Sequence, residues 1–186
     1  MKKILPIALS MFFAGQVMAA PITYDEAVDG DLEAGISTLN LGNGVNTVSG
    51  SVVWSHDGIV DDDFDGFDFN LGSGSAVTSI FIDLALQNTG SGTWSNIGWS
   101  LKTGSGNLNE SLSFPQVNQS IFNSALPLSS GSFSLNQNSA SGGLAQGDYR
   151  IADYTLTFNV SSIPAPLSLA LFCLGLAGIG FSRRMK

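Results

Sequence analysis

Ile80-Phe81-Ile82-Asp83-Leu84-Ala85-Leu86-Gln87 decides the fold class. One face of this stretch reads Ile80, Ile82, Leu84, Leu86, and the other reads Phe81, Asp83, Ala85, Gln87. Strict alternation of period two marks a half-buried strand, because successive side chains of extended backbone point to opposite sides. A second such run lies downstream, where Tyr154, Leu156, Phe158 and Val160 share a face. Tyr149 and Ile151 sit on the opposite parity, which predicts a bulge around Ala152-Asp153. Shorter strand candidates are Val48 to Trp54, Phe67 to Leu71, Thr93 to Leu101, Leu108 to Phe114 and Ser132 to Asn136. Gly/Ser/Asn clusters such as Asn88-Thr89-Gly90-Ser91-Gly92 and Ser141-Gly142-Gly143 punctuate them as turns. Only Asp25 to Ala34 suggests a helical turn. Short strands in this number, joined by polar turns, predict an all-β fold, an antiparallel β-sandwich of the jelly-roll kind.

The segments on either side of this region have a different composition. Met1-Lys2-Lys3 is basic, Ile4 to Val17 is apolar, and Val17-Met18-Ala19 offers small residues at the spacing a signal peptidase reads. The apolar run spans about 21 Å as a helix, short of the roughly 30 Å of hydrocarbon in a bilayer. Residues 1–19 are therefore expected to be a cleaved signal peptide, and residues 20–162 the exported domain. At the other end, Leu167 to Phe181 carries no charge and is followed by Ser182-Arg183-Arg184-Met185-Lys186. Basic residues beyond an apolar segment stay on the cytoplasmic side. Pro164 and Pro166 suit a helix start, where the missing N–H costs nothing. Residues 163–186 are thus expected to be an anchor segment whose single transmembrane helix, with Leu167 to Phe181 embedded in lipid, holds the exported domain to the inner membrane.

This tail resembles the PEP-CTERM sorting signal, in which a proline–acid–proline motif precedes a short Leu/Ala/Gly-rich helix and a terminal Arg cluster. The matching residues are Pro164, Ala165, Pro166, the helix from Leu167 onward, and Arg183-Arg184. Ala165 departs from the pattern, standing where the family usually has Glu. The resemblance implies recognition by exosortase, a membrane-embedded processing enzyme, in an exopolysaccharide-producing Gram-negative host. It implies a cell-surface or extracellular-matrix destination and says nothing of the domain's own activity.

Composition narrows what the domain does. The chain has 186 residues and a formal net charge of −8, and all 15 acids but only Lys102 and Arg150 among the 7 bases fall within residues 20–162. Such an acidic domain lacks the electrostatic footprint of a nucleic-acid binder. One Cys and one His cannot build a zinc site, and Cys173 lies in the tail. No G-x-S-x-G elbow is present, and nothing selects a carboxylate pair such as Asp83 and Glu110 from the rest, so no enzymatic activity is expected.

Two local features invite ligands. Asp61-Asp62-Asp63-Phe64-Asp65-Gly66 reads D-x-D-x-D-G, the first half of an EF-hand loop, where alternate carboxylates converge on a hard cation. Gly72 at the twelfth position excludes a true EF-hand. A calcium loop at the rim of the sandwich remains, with Asp61, Asp63 and Asp65 as ligands, the Phe67 carbonyl beside them, and Asp57 or Asp68 completing the shell. Trp94 and Trp99 differ in parity, so within one regular strand one of them faces outward, available to stack on a sugar ring. The leading expectation is a structural or adhesive protein in contact with exopolysaccharide; the alternative is a carbohydrate-binding module with a calcium-stabilised loop.

Overall fold

The structure is a computed structural model that describes residues 19–32, 37–56, 63–87 and 93–163. It is all-β apart from one turn of helix. The elements in chain order are β1 (Thr23–Asp25), α1 (Glu26–Asp29), β2 (Thr38–Leu41), β3 (Gly44–Ser55), β4 (Gly66–Leu86), β5 (Thr93–Thr103), β6 (Gly106–Ser113), β7 (Gln116–Ile121), β8 (Leu128–Gly143) and β9 (Tyr149–Ser162). They form one open sheet in the order β1-β3-β9-β4-β8-β5-β6, with β2 and β7 also pairing to β4.

Strand β4 organises the molecule. Its first stretch pairs with β8 from Gly66↔Asn136 to Leu71↔Gly131, and its second pairs with β9 from Ser79↔Asn159 to Leu86↔Ala152. The ladder to β8 shifts between Leu71 and Ala76, across Gly72-Ser73-Gly74. Gly74 takes φ +76°, a conformation that L side chains resist. A strand bent at such a point can serve two sheets facing different ways. One wing is accordingly β2, the start of β4, β8, β5 and β6. The other is β7, the end of β4, β9, β3 and β1.

The two wings meet face to face. Phe158 on β9 lies 6.2 Å from Phe67 and 5.3 Å from Phe69, both on the first stretch of β4. Trp99 on β5 packs edge-on against Tyr154 on β9 at 5.1 Å, although three sheet positions separate their strands. Val48, Val52, Phe67, Phe69, Ile80, Ile82, Ile97, Trp99, Leu135, Leu156 and Phe158 are fully enclosed in this single core.

Asn46 is buried yet fully used. Its Oδ1 accepts from Ile22 N and Gly42 N, both at 3.0 Å, while its Nδ2 donates to Gly42 O at 2.8 Å. With a further bond from its Nδ2 to Gly44 O at 3.4 Å, one amide thus serves four backbone groups and ties the chain before β1 to the start of β3.

Three expectations are corrected. The sheet is mixed rather than antiparallel, because the short strands β1 and β2 pair parallel to β3 and β4. No bulge interrupts β9: its register with β3 runs unbroken from Gly44↔Val160 to Ser55↔Tyr149, with Ala152 on the buried face. The irregularity lies on the partner instead, where β4 shifts register between Val77 and Ser79. The third correction concerns the tryptophans. Both are buried, Trp94 at 3% exposure and Trp99 at 0%, so neither presents a ring to a sugar. The register shift between Trp94 and Asn96, where Ser95 is the extra residue, breaks the regular alternation of β5, so that Trp94 and Trp99 share the inner face despite opposite parity; the shift between Gly98 and Trp99 has its extra residue on β8. Trp94 spends its surface on Trp54 and Phe114, at 5.7 and 5.3 Å.

Candidate functional site

At the entrance to β4 the chain brings carboxylates together. Gln137 N donates to Asp65 O at 2.8 Å, and Gly66 N donates to Leu32 O at 3.0 Å. Leu32 is itself buried, so this junction is part of the core. With its backbone held on both sides, Asp65 turns its side chain inward, and only 1% of the residue stays exposed.

Glu26 approaches from the other wing. Asp25 caps α1 by accepting from Ala27 N, which sets Glu26 in the first turn. The Glu26 carboxylate then accepts from Leu32 N at 3.2 Å and from Ser51 N on β3 at 3.0 Å. Gly50 makes room: a Cβ there would overlap both the Glu26 carboxylate and the Tyr154 hydroxyl. Asp31 completes the group, and ligand atoms of Glu26, Asp31 and Asp65 all lie within 4.8 Å of one another.

The electrostatics follow from burial. Desolvation is the largest influence on Asp65 and pushes its pKa up to about 8, with the charges of Glu26, Asp63 and Asp31 adding to the rise and the Tyr154 phenol opposing it. Burial likewise raises Glu26, against the two backbone amides that favour its charged form. Tyr154 is raised as well, by desolvation first and by Asp65 next. Both carboxylate oxygens of Asp65 and the Tyr154 hydroxyl are buried without a hydrogen-bond partner, so the phenol acts on the acid without a well-formed hydrogen bond.

Among the described residues expected to hold calcium, Asp65 alone enters this cluster. Asp63 forms an isolated bridge with Val53, N to O at 3.0 Å in both directions, and its charge reaches Asp65 from outside the group. Phe67 is a core side chain within β4. Asp68 points the other way and accepts from the Ser134 hydroxyl. Asp57 and Asp61 lie outside the described residues. Sequence reading missed Glu26 and Asp31, although the acid-rich run Asp25-Glu26 to Asp29-Gly30-Asp31 was the available signal.

The outer face of the first wing is a second distinct surface. Rows of short neutral side chains cross it, Asn40, Asn70 and Ser132 in one and Asn136, Ser100 and Asn109 in another, and the row between them, Thr38, Asp68, Ser134, Lys102 and Asn107, carries one acid and one base. Ser132 Oγ donates to Asn70 Oδ1 at 2.6 Å, Asn70 Nδ2 to Asn40 Oδ1 at 3.3 Å, and Asn138 Nδ2 to Asn109 Oδ1 at 3.1 Å.

Asp83 and Glu110 are occupied structurally, accepting from Asn118 N and Phe122 N, the two non-glycine residues with positive φ among the described residues. Among the described residues no helix is long and apolar enough to cross a membrane. Residues 1–18 of the expected signal peptide and the expected sorting residues Pro164, Ala165, Pro166, Arg183 and Arg184 lie outside them. Compared with protein-family models, curated proteins and solved structures, the chain matches none.

Proposed function

We propose that the chain is an exported cell-surface or extracellular-matrix protein of an exopolysaccharide-producing Gram-negative bacterium, with a structural or adhesive role and no enzymatic activity. In this reading the signal peptide, residues 1–19, starts export. Leu167 to Phe181 halts in the inner membrane, with Arg183 and Arg184 facing the cytoplasm. Exosortase recognises the Pro164-Ala165-Pro166 tail and releases the domain outward, and the two wings form a sandwich of the jelly-roll kind.

The observation that supports the adhesive role is the set of amide and hydroxyl rows on the outer face of the first wing, which flank a single row holding Asp68 and Lys102. Short, uncharged donors and acceptors match the hydroxyls of a polysaccharide and suffer little from the salt outside a cell, unlike paired charges. The buried tryptophans argue against an aromatic stacking platform.

The test is retardation of the protein in a gel cast with exopolysaccharide from an exosortase-bearing host. Retention is expected to persist in high salt and to weaken roughly tenfold when Asn109→Ala is combined with Asn138→Ala, which removes one amide bridge and its contacts. Retention abolished by salt, or untouched by the double substitution, contradicts the assignment of this face.

A further inference from the structure

We propose that Glu26, Asp31 and Asp65 form a binding site for a divalent cation, Ca2+, that fastens the α1 turn to the entrance of β4. The inference goes beyond the export reading and stands without it.

Acidic side chains often gather on protein surfaces without a ligand. Here the innermost member is not on the surface. Asp65 is 1% exposed and neither of its oxygens has a hydrogen-bond partner. Buried charge is normally paired, because leaving it unpaired in the interior is costly. The described residues contain no Lys or Arg other than Lys102 and Arg150, and neither is among the charges acting on Asp65 or Glu26. A second buried polar atom without a partner, the Tyr154 hydroxyl, adjoins the same spot, since a Cβ on Gly50 would touch both it and Glu26. Two such atoms at one point, with three carboxylates converging, describe a space built for a positive guest.

The donors are all hard oxygens, which suits calcium or magnesium and excludes the thiolate and imidazole chemistry of zinc or copper. Calcium accepts six to eight oxygens in adaptable geometry, whereas magnesium demands a near-ideal octahedron. The set here is irregular: Glu26 is committed on both oxygens to backbone donors, Asp65 is enclosed, and Asp31 is exposed. A groove lined by Glu26, Ser51, Asp63, Asp153 and Tyr154 runs alongside and admits the water needed to complete a calcium shell. The ligands are also preorganised, because the Leu32–Gly66 and Asp65–Gln137 backbone bonds fix two of the three segments before any ion arrives.

Thermal unfolding of the full chain in detergent, in chelator and in about 5 mM Ca2+, tests the proposal. Calcium is expected to raise Tm by about 5 °C. Asp31→Asn, at an exposed position that leaves the core intact, and Asp65→Asn are each expected to remove most of that increment. Asp63→Asn and Asp83→Asn are expected to retain it. Equilibrium binding of radioactive calcium at room temperature gives the same comparison without unfolding. A Tm indifferent to calcium, an increment that survives both Asp31→Asn and Asp65→Asn, or one abolished by Asp63→Asn overturns the proposal.

Discussion

Phe158→Ala is expected to lower the stability of the domain by about 3–5 kcal/mol, a large share of the roughly 5–15 kcal/mol by which native proteins are stable. Phe158 is fully buried on β9 and bridges the wings through Phe67 and Phe69. Backbone hydrogen bonds join the wings mainly along β4, so facing side chains hold the remainder of the sheet folded over. Removing the ring deletes apolar burial and leaves a cavity that the flanking strands cannot collapse into, because their own ladders fix their spacing. Phe64→Ala is the contrast: Phe64 is 40% exposed, and its loss is expected to stay well below that range. Denaturant titration of the two variants checks the ordering, and equal losses would deny that the wings share one core.

Asp65→Asn is expected to change how stability depends on pH, and to do so in chelator. The folded pKa of Asp65 is raised to about 8 by burial, above the ordinary 3.8. The folded state therefore holds this proton more tightly than the unfolded chain does. Its stabilising contribution is complete below about pH 4 and is lost as pH climbs toward 8, as the buried carboxyl is forced to ionise. The wild-type Tm in chelator should fall across that window. Asn cannot ionise, so the variant's profile should be flatter and should lie above wild type near pH 8, by up to a few kcal/mol. Calcium reverses the ranking if the cluster binds it, because only the wild type then gains. Parallel profiles for the two proteins in chelator would show that Asp65 ionises as freely as a surface acid.

Local pattern revealed much of this architecture. Alternation placed Ile80, Ile82 and Leu84 inside, and the structure buries all three. Leu156, Phe158 and Val160 follow suit on β9. Gly72-Ser73-Gly74 reads as a turn in isolation, yet it bends one strand instead of ending it, because pairing with β8 on one side and β9 on the other carries β4 through. Strand β7 escaped notice, since Gln116-Val117-Asn118-Gln119-Ser120-Ile121 has no apolar rhythm and owes its shape to β4. The tryptophan parity misled for a related reason: the extra residue Ser95 breaks the alternation of β5 against β8, and a one-residue shift moves side chains to the other face. The acid cluster was half legible. Asp65 stands in a run whose spacing suggests a metal, but its partners come from α1 and the turn after it, far away in sequence and joined only by the fold.

Export followed by processing at the tail is the central step of the proposed function. Mass spectrometry of the intact protein, recovered separately from the inner membrane and the medium of an exosortase-bearing host, addresses both steps at once. The membrane form is expected to begin at Ala20 and keep Lys186; the released form is expected to share that start and to end near Pro164-Ala165-Pro166. A single species running from Met1 to Lys186 and recovered with the soluble cytosolic proteins would contradict it.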